Sequence, residues 1–447
     1  MIITYLSAAV SLLLKVFSVW FFVTALLFWK RPAAYKRSAP KTRFACLIPA
    51  RNEEAVIGAL VKSLKEQNYP ADLCEIYVIP NNCTDGTAEA AAAAGAKIIR
   101  CQKPVTCKGD ALKEALSFLA EEEQRETASL KRKTAGEQTE PFFERKFDAM
   151  CLFDADNVVH PDFLARMNDA FCAGAKVAKA RLLVKNPRAS WVSGCYSLYF
   201  AMNDTFFSRS RANLGLSAKL VGTGMAARRE VLERMGGWNT ETIAEDAEFS
   251  AMCAEMGERV WWVPDAITYD EAPVSFGVSL TQRKRWCSGI MTVAEKMVPR
   301  LLRVAGEHEA EPGLVVLEKA DPGAAPEGGK PHLTPGTKKR LRAADMCFFL
   351  CTPFAQAASV LPGFGFVAGA ISSGDITALL VFLGLTLSFA LGGMTGFAFW
   401  LKFLCGQHLR KSSVFLFPLF MASFVPLQIL SLLRRTRKWK TIRHYGA

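Results

Sequence analysis

The 447 residues carry a formal net charge of +13, are 51% hydrophobic and have a mean hydropathy of +0.14. This is too long and too apolar for one ordinary water-soluble domain, so a globular unit must be joined to membrane-type sequence. The positive charge gathers beside apolar stretches, in "KKRLR" (338–342) and "RRTRKWK" (434–440), with no base-stacking module nearby, which fits membrane lipid rather than nucleic acid as a partner.

Residues 1–29 are nearly all apolar and long enough to cross a bilayer. Their basic flank (Lys30, Arg31, Lys36, Arg37) follows the apolar run, the reverse of a signal peptide. The segment therefore reads as an anchor in the cell membrane, with an outside N-terminus and a cytoplasmic catalytic domain after it. Lys15, near its middle, is expected to face other helices or to snorkel. Residues 43–300 have the mixed composition of a globular domain. Strands are expected at 44–49, 75–80, 97–100 and 149–153, and helices at 52–67, 87–94 and 110–119, with Val56, Leu60 and Leu64 on one stripe. This alternation predicts an α/β fold with a mostly parallel sheet covered by helices on both faces. Residues 121–146 form a charge-rich insertion, read as a helix extension plus surface loop, and 305–337 read as a flexible cytosolic linker.

Three further apolar stretches, 343–370, 376–404 and 413–433, make a C-terminal transmembrane region at 343–433, followed by a basic tail at 434–447. The last stretch holds Pro418 and Pro426 and precedes the tail. Either it is re-entrant or interfacial, or it breaks the positive-inside rule. Thirteen dispersed cysteines without C-x2-C spacing indicate reduced thiols in a cytosolic domain.

In sheets of this kind ligands bind at the carboxyl ends of the strands. The expected strand ends carry "ARNEE", "NNCTDGT" and "FDADN", and "CKGDAL" opens a helix. Asp154 and Asp156, one residue apart after an apolar run, can share a hard divalent cation with substrate phosphates. A lone pair of this kind is equally an Asx turn or a helix cap. Downstream, "GTGM" allows close backbone approach to a ligand, Glu245–Asp246 open a helix, and "QRKRW" (282–286) combines an amide, three cations and an indole. Alone, "QRKRW" would pass for an interfacial helix with an aromatic anchor.

In this order, "PARNEE", "NNCTDGT", "CKGDAL", "FDADN", "GTGM", "ED" and "QRKRW" resemble the family 2 glycosyltransferases of GT-A fold. The resemblance is especially to membrane-integrated synthases, such as those of cellulose, hyaluronan and poly-N-acetylglucosamine. The resemblance implies a GT-A-type nucleotide-sugar-binding domain with N- and C-terminal transmembrane helices. It also implies inverting transfer from a UDP-sugar donor to a growing polysaccharide, possible export across the membrane, and Mg2+ or Mn2+ held by Asp154 and Asp156. Asp246 would be the general base beside Glu245. Pro49, Arg51, Glu53, Asn81, Asp85, Lys108, Asp154, Gly224, Gln282, Arg285 and Trp286 would bind donor and acceptor. Asp85 would lie at the uracil and ribose end, and Gln282, Arg285 and Trp286 would close over the diphosphate and acceptor sugar.

Three departures bear on this. Relatives often have Asp where Asn81 stands, Thr is common where Ala244 stands, and the 305–337 linker is long for the family. Single-sugar transfer to a lipid acceptor is the alternative enzyme reading. A non-catalytic nucleotide-binding scaffold or transporter is the alternative outside catalysis, disfavoured by the joint presence of Asp154, Asp156 and Asp246.

Overall fold

Phe44, Cys46, Ile48 and Ala50 alternate with Ala45 and Leu47 along the first strand, β1 (Phe44–Ala50), and the two sets enter different hydrophobic cores. A strand apolar on both faces belongs inside a sheet covered on both sides. The computed structural model, which describes residues 2–32, 34–133, 146–307, 314–315 and 332–436, places it there. β1 joins β2 (Cys74–Pro80), β3 (Lys97–Ile98), β4 (Ala149–Leu152), β5 (Val158–Val159), β6 (Val177–Val184), β7 (Met225–Arg228) and β8 (Val260–Asp270). Their order is β3-β2-β1-β4-β7-β6-β8-β5. Helices Ile57–Lys65 and Phe163–Cys172 cover one face, and Lys108–Lys133 and Glu245–Glu255 cover the other.

The chain is α/β as expected, and the pairings β1–β2, β1–β4, β2–β3 and β6–β8 are parallel. The sheet turns mixed at β7, which is antiparallel to both β4 and β6, while β5 is antiparallel to β8. The reversal positions the site: Met225, the first residue of β7, lies opposite Leu152, the last of β4. The Gly222–Gly224 turn is thereby laid against Asp154.

The helix expected over 52–67 begins only at Ile57. Neighbouring side chains capture the backbone before it. The Glu53 and Glu54 N–H groups donate to Thr87 Oγ1 (2.9 Å) and Asp85 Oδ2 (3.2 Å), and Asn52 adopts φ +59°. Such local bonds compete with helix formation. The helix expected over 110–119 runs Lys108–Lys133, absorbing the start of the 121–146 insertion, whose residues 134–145 lie outside the described residues. Of the 305–337 linker, residues 305–306 end the Phe276–Gly306 helix, 335–337 begin the Pro335–Ala358 helix, and Leu314–Val315 pair with His332–Leu333. Residues 308–313 and 316–331, and 437–447 of the basic tail, lie outside the described residues. All thirteen cysteines are free thiols.

Among the described residues, four helical stretches are long and apolar enough to cross a membrane: Ser7–Ala25, Pro335–Ser373, Ile376–Cys405 and Lys411–Leu433. Lys15 is exposed rather than packed between helices. The last stretch is two helices, Lys411–Ala422 and Phe424–Leu433, broken at Ser423. Pro426 cannot donate to the carbonyl of residue 422. Arg283 grips the break, donating to the Phe420 carbonyl and to Ser423 Oγ (both 2.8 Å) with its guanidinium over the Phe420 and Phe424 rings. The first of these helices packs on Trp191–Met202, and the second on the Phe276–Gly306 helix.

Candidate active site

Strand ends and helix ends meet around one cavity of about 440 Å³. Its charged pole comes from the sheet. Asp154 and Asp156 follow β4, Asp270 ends β8, and Glu245 and Asp246 open the Glu245–Glu255 helix. That helix start is held in place by Glu248, whose buried carboxylate accepts from the Glu241 and Thr242 N–H groups (2.9 and 2.8 Å) and pairs with Lys296 (2.7 Å).

Lys108 ties the pole together. Its Nζ donates to Asp154 Oδ1 and to the Gly222 carbonyl (both 2.6 Å), with Glu245 Oε1 at 3.3 Å. Gly222, at φ +77°, stands among three carboxylates. A Cβ added there would meet oxygens of Asp246, Asp154 and Glu245 at 3.8–4.0 Å. A side chain at this position would fill the space between the acids, so the glycine keeps it open. Thr223 donates to Asn157 Oδ1 and accepts from the Asp154 N–H (3.2 Å). The Asn157 amide in turn bonds Asp156 Oδ1 (3.2 Å) and Asp270 Oδ1 (2.9 Å).

Crowding the acids shifts their protonation. Burial, then the charge of Asp246 and Asp154, pushes Glu245 up to about 7 against the pull of Lys108. Burial also raises Asp246, opposed by its bond from the Ala247 N–H and by Lys108, Lys219 and Arg285. Asp270 is raised well above the usual carboxylate range by burial and by the charges of Asp156 and Asp154. Lys108 is held cationic, its burial outweighed by Asp154 and Glu245. An acid cluster that resists its own charge suits a divalent cation. Among the described residues no group of three His, Cys, Asp or Glu side chains is set to hold a metal ion. A cation that takes its remaining ligands from a diphosphate needs only one or two protein carboxylates, so Asp154 and Asp156 fit that role as donors.

The opposite pole is built from helices. Tyr199, Phe200, Phe207, Trp286, Phe349 and Phe424 line it, interleaved with the amides of Asn203, Gln282, Gln356 and Gln428. Trp286 stacks on Tyr199 (centroids 6.3 Å apart, 18°), and Tyr199 stacks on Phe424 (5.5 Å, 21°). The Tyr196 hydroxyl donates to Gln282 Oε1 (2.7 Å), and the Gln428 amide donates to Gln356 Oε1. Asn203 and Phe207 belong to a π-helical turn, Asn203–Arg209, a distortion frequent at functional sites.

Of the residues singled out from sequence, Pro49, Arg51, Glu53, Asn81, Lys108, Asp154, Asp156, Glu245, Asp246, Gln282, Arg285 and Trp286 line this cavity. Asp85 and Gly224 do not. Asp85 braces its own loop, accepting from Thr87 Oγ1 (2.5 Å), the Thr87 N–H (3.2 Å) and the Glu54 N–H (3.2 Å). Gly224 sits inside the sheet, bonded to Leu152 and Ala180, with Thr268 where a Cβ would go. Sequence reading missed Asp270, Lys219 and the aromatic and amide residues of the helices. Asp270 ends a strand, as Asp154 follows one, and would have been found had 260–270 been read as a strand.

Residues 40–289 match the family described as "Glycosyltransferase like family 2". The chain is 28% identical over 283 residues to the probable glycosyltransferase YdaM of Bacillus subtilis (strain 168), covering 60% of this chain and 62% of that one. It is 27% identical over 256 residues to the beta-monoglucosyldiacylglycerol synthase of Synechocystis sp. (strain ATCC 27184 / PCC 6803 / Kazusa), covering 56% and 48%. It thus spans less than two thirds of the length of these relatives. Among solved structures, the mannosyltransferase PcManGT from Pyrobaculum calidifontis, in complex with GDP-Man and Mn2+, has the same fold. The TM-score is 0.60 at 18% identity, over 96% of this chain and 99% of that one.

Proposed function

Because the chain belongs to the glycosyltransferase-like family 2, we propose that it transfers a sugar, with inversion, from a UDP-sugar to the end of a growing polysaccharide. The observation that carries the acceptor is the helical pole, where stacked aromatic faces alternate with amides. Rings suit sugar C–H faces and amides suit sugar hydroxyls, whereas an acyl chain would leave the buried Gln428 Oε1, which has no hydrogen-bond partner among the described residues, unsatisfied. The cavity joins this pole to the acids without interruption, which supports donor and acceptor meeting end to end.

In this reading Pro49, Arg51, Glu53 and Asn81 take the nucleotide, and Lys108 orders Asp154 and Glu245 beneath it. Asp246 accepts the proton of the acceptor hydroxyl as its oxygen bonds to the anomeric carbon. The bond from that carbon to the phosphate oxygen breaks in the same displacement. Its electron pair leaves on the nucleoside diphosphate, where Arg285 meets the charge. Mg2+ or Mn2+ held by Asp154 and Asp156 would neutralise the departing diphosphate. Trp286 holds the acceptor sugar by stacking, and Gln282, fixed by Tyr196, orients its hydroxyls. The four apolar helices embed the protein in the cell membrane, with the catalytic domain on the cytoplasmic side, where the basic flanks lie.

A second reading, transfer of one sugar to a lipid, is supported by the Synechocystis relative, whose name is that of a lipid glucosyltransferase. One experiment separates the two. Purified protein in vesicles is given UDP- and GDP-sugars, nucleoside diphosphate release is measured, and the product is sized. Release of UDP with a sugar polymer is the expected result. A single-sugar product extractable into organic solvent would install the lipid reading. Release of GDP alone would replace the donor.

A further inference from the structure

The Phe276–Gly306 helix meets the start of the Glu245–Glu255 helix at two places. At the first, Gly289 is buried in the middle of the longer helix. A Cβ built on it would lie 2.8 Å from the Ala244 Cβ, 3.4 Å from Ile243 Cγ1 and 3.5 Å from the Ala244 nitrogen. Helix backbone therefore rests on the Ala244 methyl, one residue before Glu245. At the second, two turns further on, Lys296 donates to Glu241 Oε2 and Glu248 Oε1 (both 2.7 Å). Between the two places, Ala247 and Ala251 share a hydrophobic core with Val293, Ala294 and Met297.

Gln282, Gly289 and Lys296 follow one another at intervals of seven residues, so they fall on one stripe of the helix, with Arg285 and Trp286 between the first two. Gln282, Arg285 and Trp286 line the cavity. We propose that Gly289 is a positioning residue: it lets the helix that carries Arg285 and Trp286 seat directly on Ala244, and so fixes where Asp246 stands relative to the departing diphosphate. The inference rests on Asp246 being the base and Arg285 the diphosphate contact. Glycine is disfavoured in a helix interior and alanine is the best residue there, so position 289 gives up helix stability for close approach. With an added methyl, Ala244 would have to retreat from 2.8 Å to the 3.4 Å of ordinary contact, by roughly 0.6 Å. The Lys296 bonds and the shared core hold the rest of the helix pair, so the displacement falls on Ala244 and the two acids that follow it.

The test compares wild type, Gly289→Ala, Ala244→Gly and the double variant in vesicles, a cycle that isolates this contact. Nucleoside diphosphate release and donor binding are measured on each. Gly289→Ala should lose roughly tenfold to a hundredfold in turnover, the scale of a misplaced reacting group. Its donor affinity should stay within about twofold of wild type, because the contact serves the base and not donor binding. The double variant, which gives the methyl its space back, should recover to within about threefold of wild-type turnover. Wild-type turnover in Gly289→Ala, with a raised melting temperature, would overturn the proposal, since helix propensity alone leads to that result. A loss that Ala244→Gly leaves unrelieved would overturn it as well. If Gly289→Ala fails to accumulate, the double variant decides: it should accumulate and turn over, and its equal absence would count against the contact.

Amide hydrogen exchange provides a readout independent of turnover. The Glu248 N–H donates to the Ala244 carbonyl (3.0 Å), and the Glu241 and Thr242 N–H groups donate to the Glu248 carboxylate. These three amides should exchange about tenfold faster in Gly289→Ala, as local opening becomes easier, and return to the wild-type rate in the double variant. Unchanged exchange in Gly289→Ala would overturn the inference even if every variant were inactive. A wild type that releases no nucleoside diphosphate would instead sink the transferase reading and leave the exchange comparison to decide Gly289.

Discussion

The two poles of the cavity are made by different rules. The charged pole comes from strand ends and helix starts, where short polar runs leave buried strands and the sheet aims them at one point. Asp154, Asp156 and Asp270 all follow this rule. The helical pole comes from long helices that pack side by side, and its polar groups are amides carried singly on different helices, such as the bonded Gln356 and Gln428. The first pole suits bond breaking, which needs charge at fixed positions. The second suits holding a ligand of many hydroxyls and C–H faces. Damage to the charged pole should stop every transfer, whereas damage to the helical pole should change what is made.

The largest effect is expected at Asp156. Asp156→Ala, or wild type in excess chelator, should abolish transfer and weaken donor binding. Full activity under either condition would remove the metal from the scheme. Next is Asp246→Asn, which should cost at least ~100-fold in turnover, the scale of general base catalysis, with donor affinity nearly intact. A changed affinity with unchanged turnover would move Asp246 to the binding residues. Wild-type activity should also fall on acidification from above the ordinary aspartate range. Burial raises Asp246, so the base takes up its proton at a higher pH than a free aspartate would.

A smaller contrast sets two sequence neighbours against each other. Arg285→Ala should slow every transfer alike. Trp286→Ala should shorten the product, with about a tenfold fall in chain extension if stacking contributes ~1.4 kcal/mol. Equal losses of donor turnover in both variants would erase the distinction between the poles. The smallest effect is expected from Gln428→Leu, which removes one partner of the Gln356 amide. Donor turnover should stay within about threefold of wild type while product length shifts. An unaltered length distribution would mean that the amide pair only joins two helices.

The last apolar stretch marks where sequence reading stopped. Its two prolines and basic tail left its path open, and the break at Ser423 is held by Arg283. Arg283 is one of three cations in "QRKRW", and spacing alone cannot tell them apart. On the helix Arg283 turns into the aromatic packing while Arg285 turns to the cavity. Likewise Asp85 and Gly224 stand in the right motifs but spend their groups on neighbouring backbone and sheet. Asn52 failed as a helix residue because a loop about thirty residues away claims it, its side chain accepting from the Thr84 N–H (2.8 Å).

By itself the sequence determined the α/β alternation, the apolar stretches and the charged residues that leave the strand ends. Each is a local pattern: a period of two or of about three and a half, a run length, or a polar cluster after an apolar run. Tertiary structure decided the reversal at β7 that brings Gly222 against Asp154, and the aromatic and amide lining drawn from helices far apart in the chain. It also decided that Asp270 and Lys219 belong to the cavity. The physical reason is that burial and charge crowding are properties of what folds nearby. A carboxylate such as Glu245 shifts to about 7 only once Asp154 and Asp246 have been packed beside it and water has been excluded.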